Sequence, residues 1–256
     1  MERQVDLTDK VAIVTGASRG IGRDTALALA RAGAHVVVAA RSTSESPSRL
    51  PGTIEDTARQ VEALGRRALA IPTDITKDEQ VQYLVERTLQ EFGRIDILVN
   101  NAAVNSPSVF AELPLRRWDL VMNVNLRGTV LCTHLVLPHM LRQGSGHIIN
   151  LSSYMAIGRV KGALAYSVSK MAVEKFTEGL GWELAGTGVA VNCLRIEMDL
   201  ASEGWTFLNP DVDVSTWEKP ELAARCILWL LGQPPQYTGQ VVMIRELQAL
   251  GVVPRE

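Results

Sequence analysis

The sequence predicts an α/β protein with a doubly wound parallel sheet of seven strands and helices on both faces, in a single domain over residues 1–256. Three observations predict this fold class. Short β-branched runs alternate with longer helical stretches, which is typical of repeated βαβ units. The strand runs are apolar throughout, as expected of strands that helices cover on both faces. The chain is also 46% hydrophobic, which is enough apolar material for a large core.

The individual elements follow from this alternation. Seven short apolar runs are predicted as strands: Val11–Thr15, His35–Ala40, Ala68–Pro72, Ile95–Asn100, His147–Ser152, Val189–Leu194 and Val241–Ile244. Six longer stretches between them are predicted as helices: Ile21–Ala32, Ile54–Leu64, Lys77–Phe92, Leu115–Leu141, Ala163–Ala185 and Pro220–Leu231. Two stretches interrupt the pattern and are predicted as functional loops, the Ser- and Pro-rich Arg41–Gly52 and a substrate loop at about residues 195–219, Arg195–Lys219.

Composition and charge exclude several classes of function. Lys and Arg total 26 against 28 Asp and Glu, a net charge of -2, so no strong positive field would attract nucleic acid or a membrane. Residues Met1–Lys10 lack an apolar signal core, and no uninterrupted apolar run approaches the roughly 20 residues of a spanning helix. Three separated cysteines, Cys132, Cys193 and Cys226, suit neither a metal site nor a disulfide framework. We therefore expect a cytoplasmic protein without a metal.

The run VAIVTGASRGIG at Val11–Gly22 predicts a phosphate site. It combines an apolar strand, a turn with Gly16, Gly20 and Gly22, and the start of a helix. Glycine allows tight turns and close approach of a ligand to the backbone, while the helix start offers free N–H groups and a positive dipole end. A dinucleotide pyrophosphate fits this site, although an ordinary strand-to-helix turn can also use glycine.

The first two glycines are four apart rather than two, and this spacing, with Thr15 ahead of it, resembles the short-chain dehydrogenase/reductase family. Further matches follow in that family's order over Lys10 to Cys193: NNAA at 100–103, Asn125 in VNLRG, Ser153 at the end of the fifth strand, and Tyr166 and Lys170 as a YxxxK pair. The resemblance implies a Rossmann-like fold and an oxidoreductase that transfers hydride between a nicotinamide cofactor and a carbonyl or alcohol.

The cofactor-binding residues are expected at the glycine turn, at the ends of four strands and in the YxxxK pair: Gly16, Ser18, Arg19, Gly20, Ile21, Gly22, Arg41, Ser42, Asp74, Ile75, Asn101, Ala102, Ala103, Tyr166, Lys170 and Ile196. By the resemblance, Asp74 accepts a hydrogen bond from the adenine amino group, but it could instead cap the helix near Lys77. The resemblance also assigns Asn100 and Asn101 to bracing the glycine turn and lining the adenosine side.

Charge at the end of the second strand predicts NADP(H) rather than NAD(H). A binder of the unphosphorylated cofactor places an acidic residue there for the ribose 2′-hydroxyl, but this chain has Arg41. Arginine would hold a 2′-phosphate through charge-assisted hydrogen bonds, and Arg19 could approach the same phosphate from the other side. The alternative is that both arginines are simply solvated.

Tyr166 and Lys170 are four apart on a predicted helix, so the lysine cation can reach the phenol and favour its phenolate. The resemblance assigns Tyr166 as the acid/base and Ser153 as a donor to the substrate oxygen. It also assigns Asn125 to a helix kink that holds a water relaying protons to Lys170. The neighbouring Ser152 is expected to point to the opposite side if the strand persists.

These residues together imply an NADP(H)-dependent enzyme that interconverts a ketone or aldehyde with a secondary or primary alcohol. The chain departs from the family at three places: Ile196-Glu197 replaces Pro-Gly, Ala201 replaces Thr, and Arg245-Glu246-Leu247 replaces Asp-Gly-Gly. The departures leave open a cofactor-binding sensor or scaffold that has lost turnover. An epimerase or dehydratase is a third hypothesis, although such relatives generally carry a larger C-terminal substrate domain.

The substrate and the assembly are less closely determined. Trp205, Phe207 and Trp217, with Met155 and Ile157, could line an apolar pocket or pack the loop onto the body. A small molecule with a moderately apolar skeleton is expected, whereas Arg195, Ile196 and Glu197 would suit a polar one. Leu115–Leu141 and Ala163–Ala185 are more apolar than one sheet face can cover, and the resembling family pairs these helices across a two-fold axis. A homodimer or homotetramer is therefore expected.

Overall fold

The computed structural model describes residues 5–208 and 210–253. In that part of the chain, seven parallel strands form one sheet in the order β3-β2-β1-β4-β5-β6-β7. The strands are β1 Val11–Thr15, β2 His35–Ala40, β3 Ala68–Pro72, β4 Ile97–Asn100, β5 Gly146–Ser153, β6 Val189–Ile196 and β7 Val241–Met243. The predicted fold class is confirmed, and the strand order reverses between β1 and β4, where ligands bind in such sheets.

Helices lie on both faces of the sheet: α1 Gly20–Arg31, α2 Ile54–Ala63, α3 Asp78–Phe92, α4 Leu115–Met122, α5 Thr129–Gln143, α6 Leu164–Glu183, α7 Glu203–Leu208, α8 Glu221–Leu231 and α9 Ile244–Ala249. Successive strand residues point to opposite faces, so each strand contributes side chains to the apolar core on either face of the sheet. In β5, Ile148 packs with α3 and α5 residues, whereas Ile149 packs with α1 and α8 residues. Both isoleucines are fully buried.

The long helix predicted at Leu115–Leu141 contains one widened turn. A π-helical segment, Asn123–Gly128, separates α4 from α5. This continuous stretch, Leu115–Gln143, is long and apolar enough to cross a membrane by length and composition. Its α5 part packs Cys132, Val136 and Met140 into the core against the sheet, which is typical of a core helix.

Two predicted boundaries were wrong near the substrate loop. The strand β6 continues to Ile196, and the loop that follows contains α7. Ile244 begins α9 instead of ending β7, because Glu197 accepts hydrogen bonds from the N–H groups of Ile244 and Arg245. Two of the departures from the family therefore meet in one contact. The Glu197 of Ile196-Glu197 caps α9, the helix that contains Arg245-Glu246-Leu247.

Candidate active site

The glycine turn after β1 has no space for side chains at two of its positions. A Cβ on Gly16 would lie 2.8 Å from the Cα of Ala102, and one on Gly22 would lie 2.4 Å from the carbonyl oxygen of Gly16. Gly16 also has a φ of 66°, a backbone conformation that side chains disfavour. The turn therefore needs glycine in order to lie against the residues after β4.

Thr15 and Asn101 hold this turn in place. The Asn101 Nδ2 donates to the carbonyls of Thr15 at 2.8 Å and Gly16 at 3.1 Å. The Thr15 Oγ1 accepts from the N–H groups of Asn101 and Ala102, both at 3.1 Å. Asn100 was expected beside them, but it lies in the interior and donates to Asn150. Successive strand residues face opposite ways, so only one of the two asparagines reaches the turn.

A cavity of about 320 Å³ opens at the carboxyl ends of β1, β2 and β4. Thirteen of the residues expected to bind the cofactor line it: Gly16, Ser18, Arg19, Gly20, Ile21, Gly22, Arg41, Ser42, Asp74, Ile75, Asn101, Ala102 and Ala103. Sequence reasoning missed six others: Ala40, Leu50, Thr73, Val104, Val124 and Ser202. A cavity lined by the glycine turn, the start of α1 and two arginines suits a dinucleotide.

Three expected cofactor residues are not among those lining this cavity. Ile196 pairs in register with Ser153 at the end of β6 and packs against the core. Tyr166 and Lys170 lie on α6, beside the end of β5.

The two arginines of the cavity differ in their surroundings. Arg19 is held by the loop after β2: it donates to Ser42 Oγ at 2.9 Å, to Ser48 Oγ at 2.8 Å and to the carbonyls of Pro51 and Gly52. Burial lowers the pKa of Arg19, and the positive charge of Arg41 lowers it further against the effect of Glu203. Arg41 is exposed at the rim. Arg41 is thus the free cation of this pair, while Arg19 fastens the loop.

Asp74 does not cap a helix. The helix α3 begins at Asp78 with Lys77 as its N-cap residue, so the capping alternative is wrong. The Asp74 Oδ1 accepts from the N–H of Thr76 at 3.0 Å and from its Oγ1 at 2.8 Å. Burial raises the pKa of Asp74, but these bonds and the nearby Arg41 and Lys77 bring it below its ordinary value. Asp74 is a charged acceptor on the cavity wall.

Tyr166, Lys170 and Ser153 meet where α6 packs on the end of β5. The Ser153 hydroxyl lies close enough to the Tyr166 phenol to lower its pKa. The Lys170 Nζ lies 5.6 Å from the centroid of the Tyr166 ring and donates to the carbonyl of Leu151 at 2.8 Å. Tyr154, which directly follows Ser153, is half exposed and packs over Gly158.

The pKa values at this cluster follow burial. Burial raises the pKa of Tyr166, and the nearby Ser153 hydroxyl lowers it only in part. Burial also lowers the pKa of Lys170 to about 8. The lowering of the Tyr166 pKa that the four-residue spacing predicts is therefore not found, because the ammonium is directed at the Leu151 carbonyl and burial disfavours both charged forms.

Asn125 lies in the π-helical segment and is 1% exposed. Its Oδ1 accepts from the N–H of Val104 at 2.8 Å, and its Nδ2 donates to the carbonyl of Val104 at 2.9 Å and to Ser169 Oγ at 3.0 Å. Asn125 therefore ties the chain after β4 to α6, one residue before Lys170. Asn123, two residues earlier in the same segment, is exposed.

Two ionic contacts near the site were missed from the sequence. Glu203, on α7, accepts from the N–H of Gly20 at 3.2 Å and pairs with Arg23. Glu174 pairs through both carboxylate oxygens with Arg195. The only sequence signal for Glu174 is its position four residues after Lys170.

The substrate loop packs partly on itself. The rings of Trp205 and Trp217 lie 4.3 Å apart, and the N–H of Ala201 donates to the carbonyl of Glu218. Phe207 is 53% exposed. Two aromatic residues thus hold the loop together, and one faces outward.

Comparison with known proteins agrees with this geometry. Residues 10–198 match the family model of the short chain dehydrogenases. Hydroxysteroid dehydrogenase-like protein 2 of Danio rerio is 35% identical over 236 residues, 91% of this chain and 56% of the relative, so the chain spans about half the length of that relative. An uncharacterized oxidoreductase of Staphylococcus saprophyticus is 38% identical over 94% of this chain and 99% of its own.

Solved structures extend the similarity to the whole fold. A protein assigned as a dehydrogenase from Xanthomonas campestris superposes with a TM-score of 0.85, with 34% identity over 97% of this chain and 91% of that one. A protein assigned as an NAD(P)-dependent gluconate 5-dehydrogenase from Beutenbergia cavernae, with bound NADP, gives 0.81 and 29% identity over 93% of this chain and 96% of that one. The chain belongs to the short-chain dehydrogenase family of oxidoreductases.

Proposed function

We propose that the protein is an NADP(H)-dependent oxidoreductase that interconverts a ketone or aldehyde with the corresponding alcohol. The observation that carries the proposal is the meeting of Ser153, Tyr166 and Lys170 beside the cavity lined by the glycine turn. The bound nicotinamide would supply or accept the hydride. A residue set of this kind suits acid/base work on an oxygen atom, which hydride transfer to carbon requires.

The residues of the cluster take separate roles in this proposal. Tyr166 gives its proton to the nascent alkoxide in reduction and takes the alcohol proton in oxidation. Ser153, whose hydroxyl lies close to the Tyr166 phenol, donates to the same substrate oxygen. The raised pKa of Tyr166 keeps the phenol protonated at neutral pH, which suits the reductive direction. Lys170 supplies a nearby cation, and Asn125 holds the chain around it.

NADP(H) is proposed over NAD(H) because of the charges at the end of β2. Arg41 is exposed at the rim of the cavity, where a carboxylate would be needed for the ribose of NAD(H). Asp74 lies on the same wall but is engaged by Thr76. The Beutenbergia cavernae protein, which has a similar fold, holds NADP.

A moderately apolar substrate is proposed. The charged side chains that would suit a polar substrate already have partners in the protein. Arg195 pairs with Glu174, and Glu197 accepts from the N–H of Ile244 at the start of α9. Ile157, four residues after Ser153, is instead 52% exposed, and Phe207 of the substrate loop is 53% exposed. The relatives named hydroxysteroid dehydrogenase-like protein 2 are consistent with this class.

Location and assembly are part of the same proposal. Cys132, Cys193 and Cys226 are free and buried, which suits a reducing cytoplasm. Exposed apolar residues on α6 suit a homodimer or homotetramer.

The proposal is tested by scanning ketones, aldehydes and alcohols of increasing apolar size with NADPH or NADP and following absorbance of the reduced cofactor. Turnover of apolar ketones with NADPH, faster than with NADH, is expected. Tight cofactor binding without turnover of any compound would favour the sensor or scaffold alternative.

A further inference from the structure

A buried ion pair lies next to the lysine of the candidate active site. Glu174 follows Lys170 by one helical turn, and its side chain is 4% exposed. Its carboxylate accepts from the Nε of Arg195 at 2.8 Å and the Nη2 at 2.6 Å, and from the Oγ of Ser152 at 2.6 Å. All the bonds to Glu174 are charge-assisted, which makes them short and strong.

Three elements fix the pair relative to Lys170. Tyr166, Lys170 and Glu174 follow one another at four-residue intervals on α6 and so share one face. Ser152 and Arg195 are register partners across β5 and β6. The carboxylate therefore has a defined place behind the catalytic face of α6.

Burial of this pair needs a reason other than stability. Removing two charges from water costs about as much as their attraction returns, and packed apolar residues often serve stability equally well. We propose that Glu174, held by Arg195 and Ser152, is a positioning residue that keeps Lys170 charged and in place during the reaction. This inference rests on the proposed function, since it assigns a role to the lysine of that site.

Groups on three elements lie around the Lys170 ammonium. Tyr166 approaches it from α6, the Leu151 carbonyl from β5 and the Cys193 thiol from β6. Burial lowers the pKa of Lys170 to about 8, while Cys193 and Glu174 act in the opposite direction. Burial raises the pKa of the Cys193 thiol to about 12, so this thiol is neutral at neutral pH. Glu174 then supplies the negative charge that acts on Lys170.

The sign of the pH effect follows from this arrangement. Reduction needs the cation, so its rate should fall as the pH rises through the pKa of Lys170, near 8. We call the pH range in which the rate falls the descending limb of the pH profile. E174Q leaves the Arg195 cation without its counter-charge, so this limb should move to a lower pH by about one unit. R195Q leaves the Glu174 carboxylate without its counter-charge, so the limb should move to a higher pH. E178Q removes an exposed carboxylate that pairs with Lys175 on the same helix, and it serves as the control, with an unchanged pH profile.

The test measures kcat/KM against pH for these variants. Opposite shifts in E174Q and R195Q support the proposal, because a purely structural defect would lower both rates without moving the limb in two directions. An unmoved limb in either folded variant, or shifts of the same sign in both, overturns it. The double variant E174Q/R195Q leaves no unpaired ion and covers the case in which a single variant does not fold. Its descending limb should move to a lower pH, but by less than the limb of E174Q does. An unmoved limb in the double variant overturns the proposal.

A second readout separates this inference from the proposed function. Lysines labelled with ¹³C at Cε report their own titration by NMR, and K170M identifies the Lys170 signal. The same order of pKa values, R195Q above wild type above E174Q, is expected without any substrate. An absence of turnover with this order intact would refute the proposed function alone. A pKa of Lys170 that is equal in all three proteins would refute the role of Glu174 alone.

Discussion

Ser152 and Ser153 are adjacent residues of the same type whose side chains have different partners. Ser152 donates to the buried Glu174, whereas Ser153 lies beside the Tyr166 phenol and lowers its pKa. The reason is strand geometry, since successive residues of β5 face opposite ways. At the scale of single residues, direction therefore decides function as much as chemical type does.

Tyr166→Phe is expected to lower turnover by roughly 10²–10⁴-fold, because it removes the proton donor but keeps the ring. Cofactor affinity should stay nearly unchanged. Steady-state kinetics and fluorescence titration with NADPH measure the two effects. Tyr154→Phe is the matched control, since Tyr154 is half exposed and packs over Gly158. More than a few per cent of wild-type rate in Tyr166→Phe would remove this residue from the acid/base role.

Arg41→Asp is expected to reduce the preference for NADPH over NADH by about a hundredfold, because it removes a charge-assisted contact and adds repulsion. The affinity for NADH should hold or improve, since a carboxylate can accept from the ribose hydroxyls. Dissociation constants for both cofactors measure this. Arg49→Asp makes the same charge change at an exposed position of the same loop and should alter the preference little. Equal loss of both cofactors in Arg41→Asp would show that Arg41 does not meet the 2′-phosphate.

At the scale of elements, carboxylates fasten the ends of helices to distant segments. Glu197 caps α9 from the end of β6, and Glu203 joins α7 to the start of α1. Each carboxylate meets backbone N–H groups that a helix start leaves unpaired. The second contact places a negative charge at the glycine turn, where a pyrophosphate would also bind.

Glu203→Gln is expected to strengthen NADPH binding by about two- to fivefold, because it removes a charge that competes with and repels the pyrophosphate at Gly20. The effect should shrink at high salt. Isothermal titration at two ionic strengths measures it. Asp211→Asn removes an exposed charge from the same loop and is the control. Weaker binding in Glu203→Gln would mean that this contact supports the bound cofactor instead.

At the scale of the whole molecule, α6 carries an apolar stripe that the described residues leave exposed. Leu164, Val168 and Met171 are each about 40% exposed, and Trp182 on the same helix is 83% exposed. These positions recur at helical spacing, so they lie along one face. A stripe of this kind is typical of a protein–protein interface.

Light scattering at micromolar concentration is expected to give a mass of two or four chains of 28.0 kDa. Met171→Glu places a charge in the stripe and should shift the protein towards the single-chain mass. Gln60→Glu adds a charge on the exposed side of α2 and should leave the mass unchanged. A mass of 28.0 kDa for the wild type would refute the assembly proposal.

The sequence by itself determined the α/β class and, apart from some of their ends, the strands and helices that its hydrophobic pattern marks. It also located the candidate site residues of the glycine turn, with Ser153, Tyr166 and Lys170, along the chain. These features depend on near neighbours along the chain, since periodicity and motif spacing are local. Contacts that join distant residues were decided only by the tertiary structure. Glu174 meets Arg195 across 21 residues, Glu197 meets Ile244 across 47, and Glu203 meets Gly20 across 183. Such carboxylates look like ordinary surface charges until the order of the strands brings their partners beside them. The tertiary structure also buries Tyr166 and Lys170, which raises the pKa of Tyr166 and lowers that of Lys170.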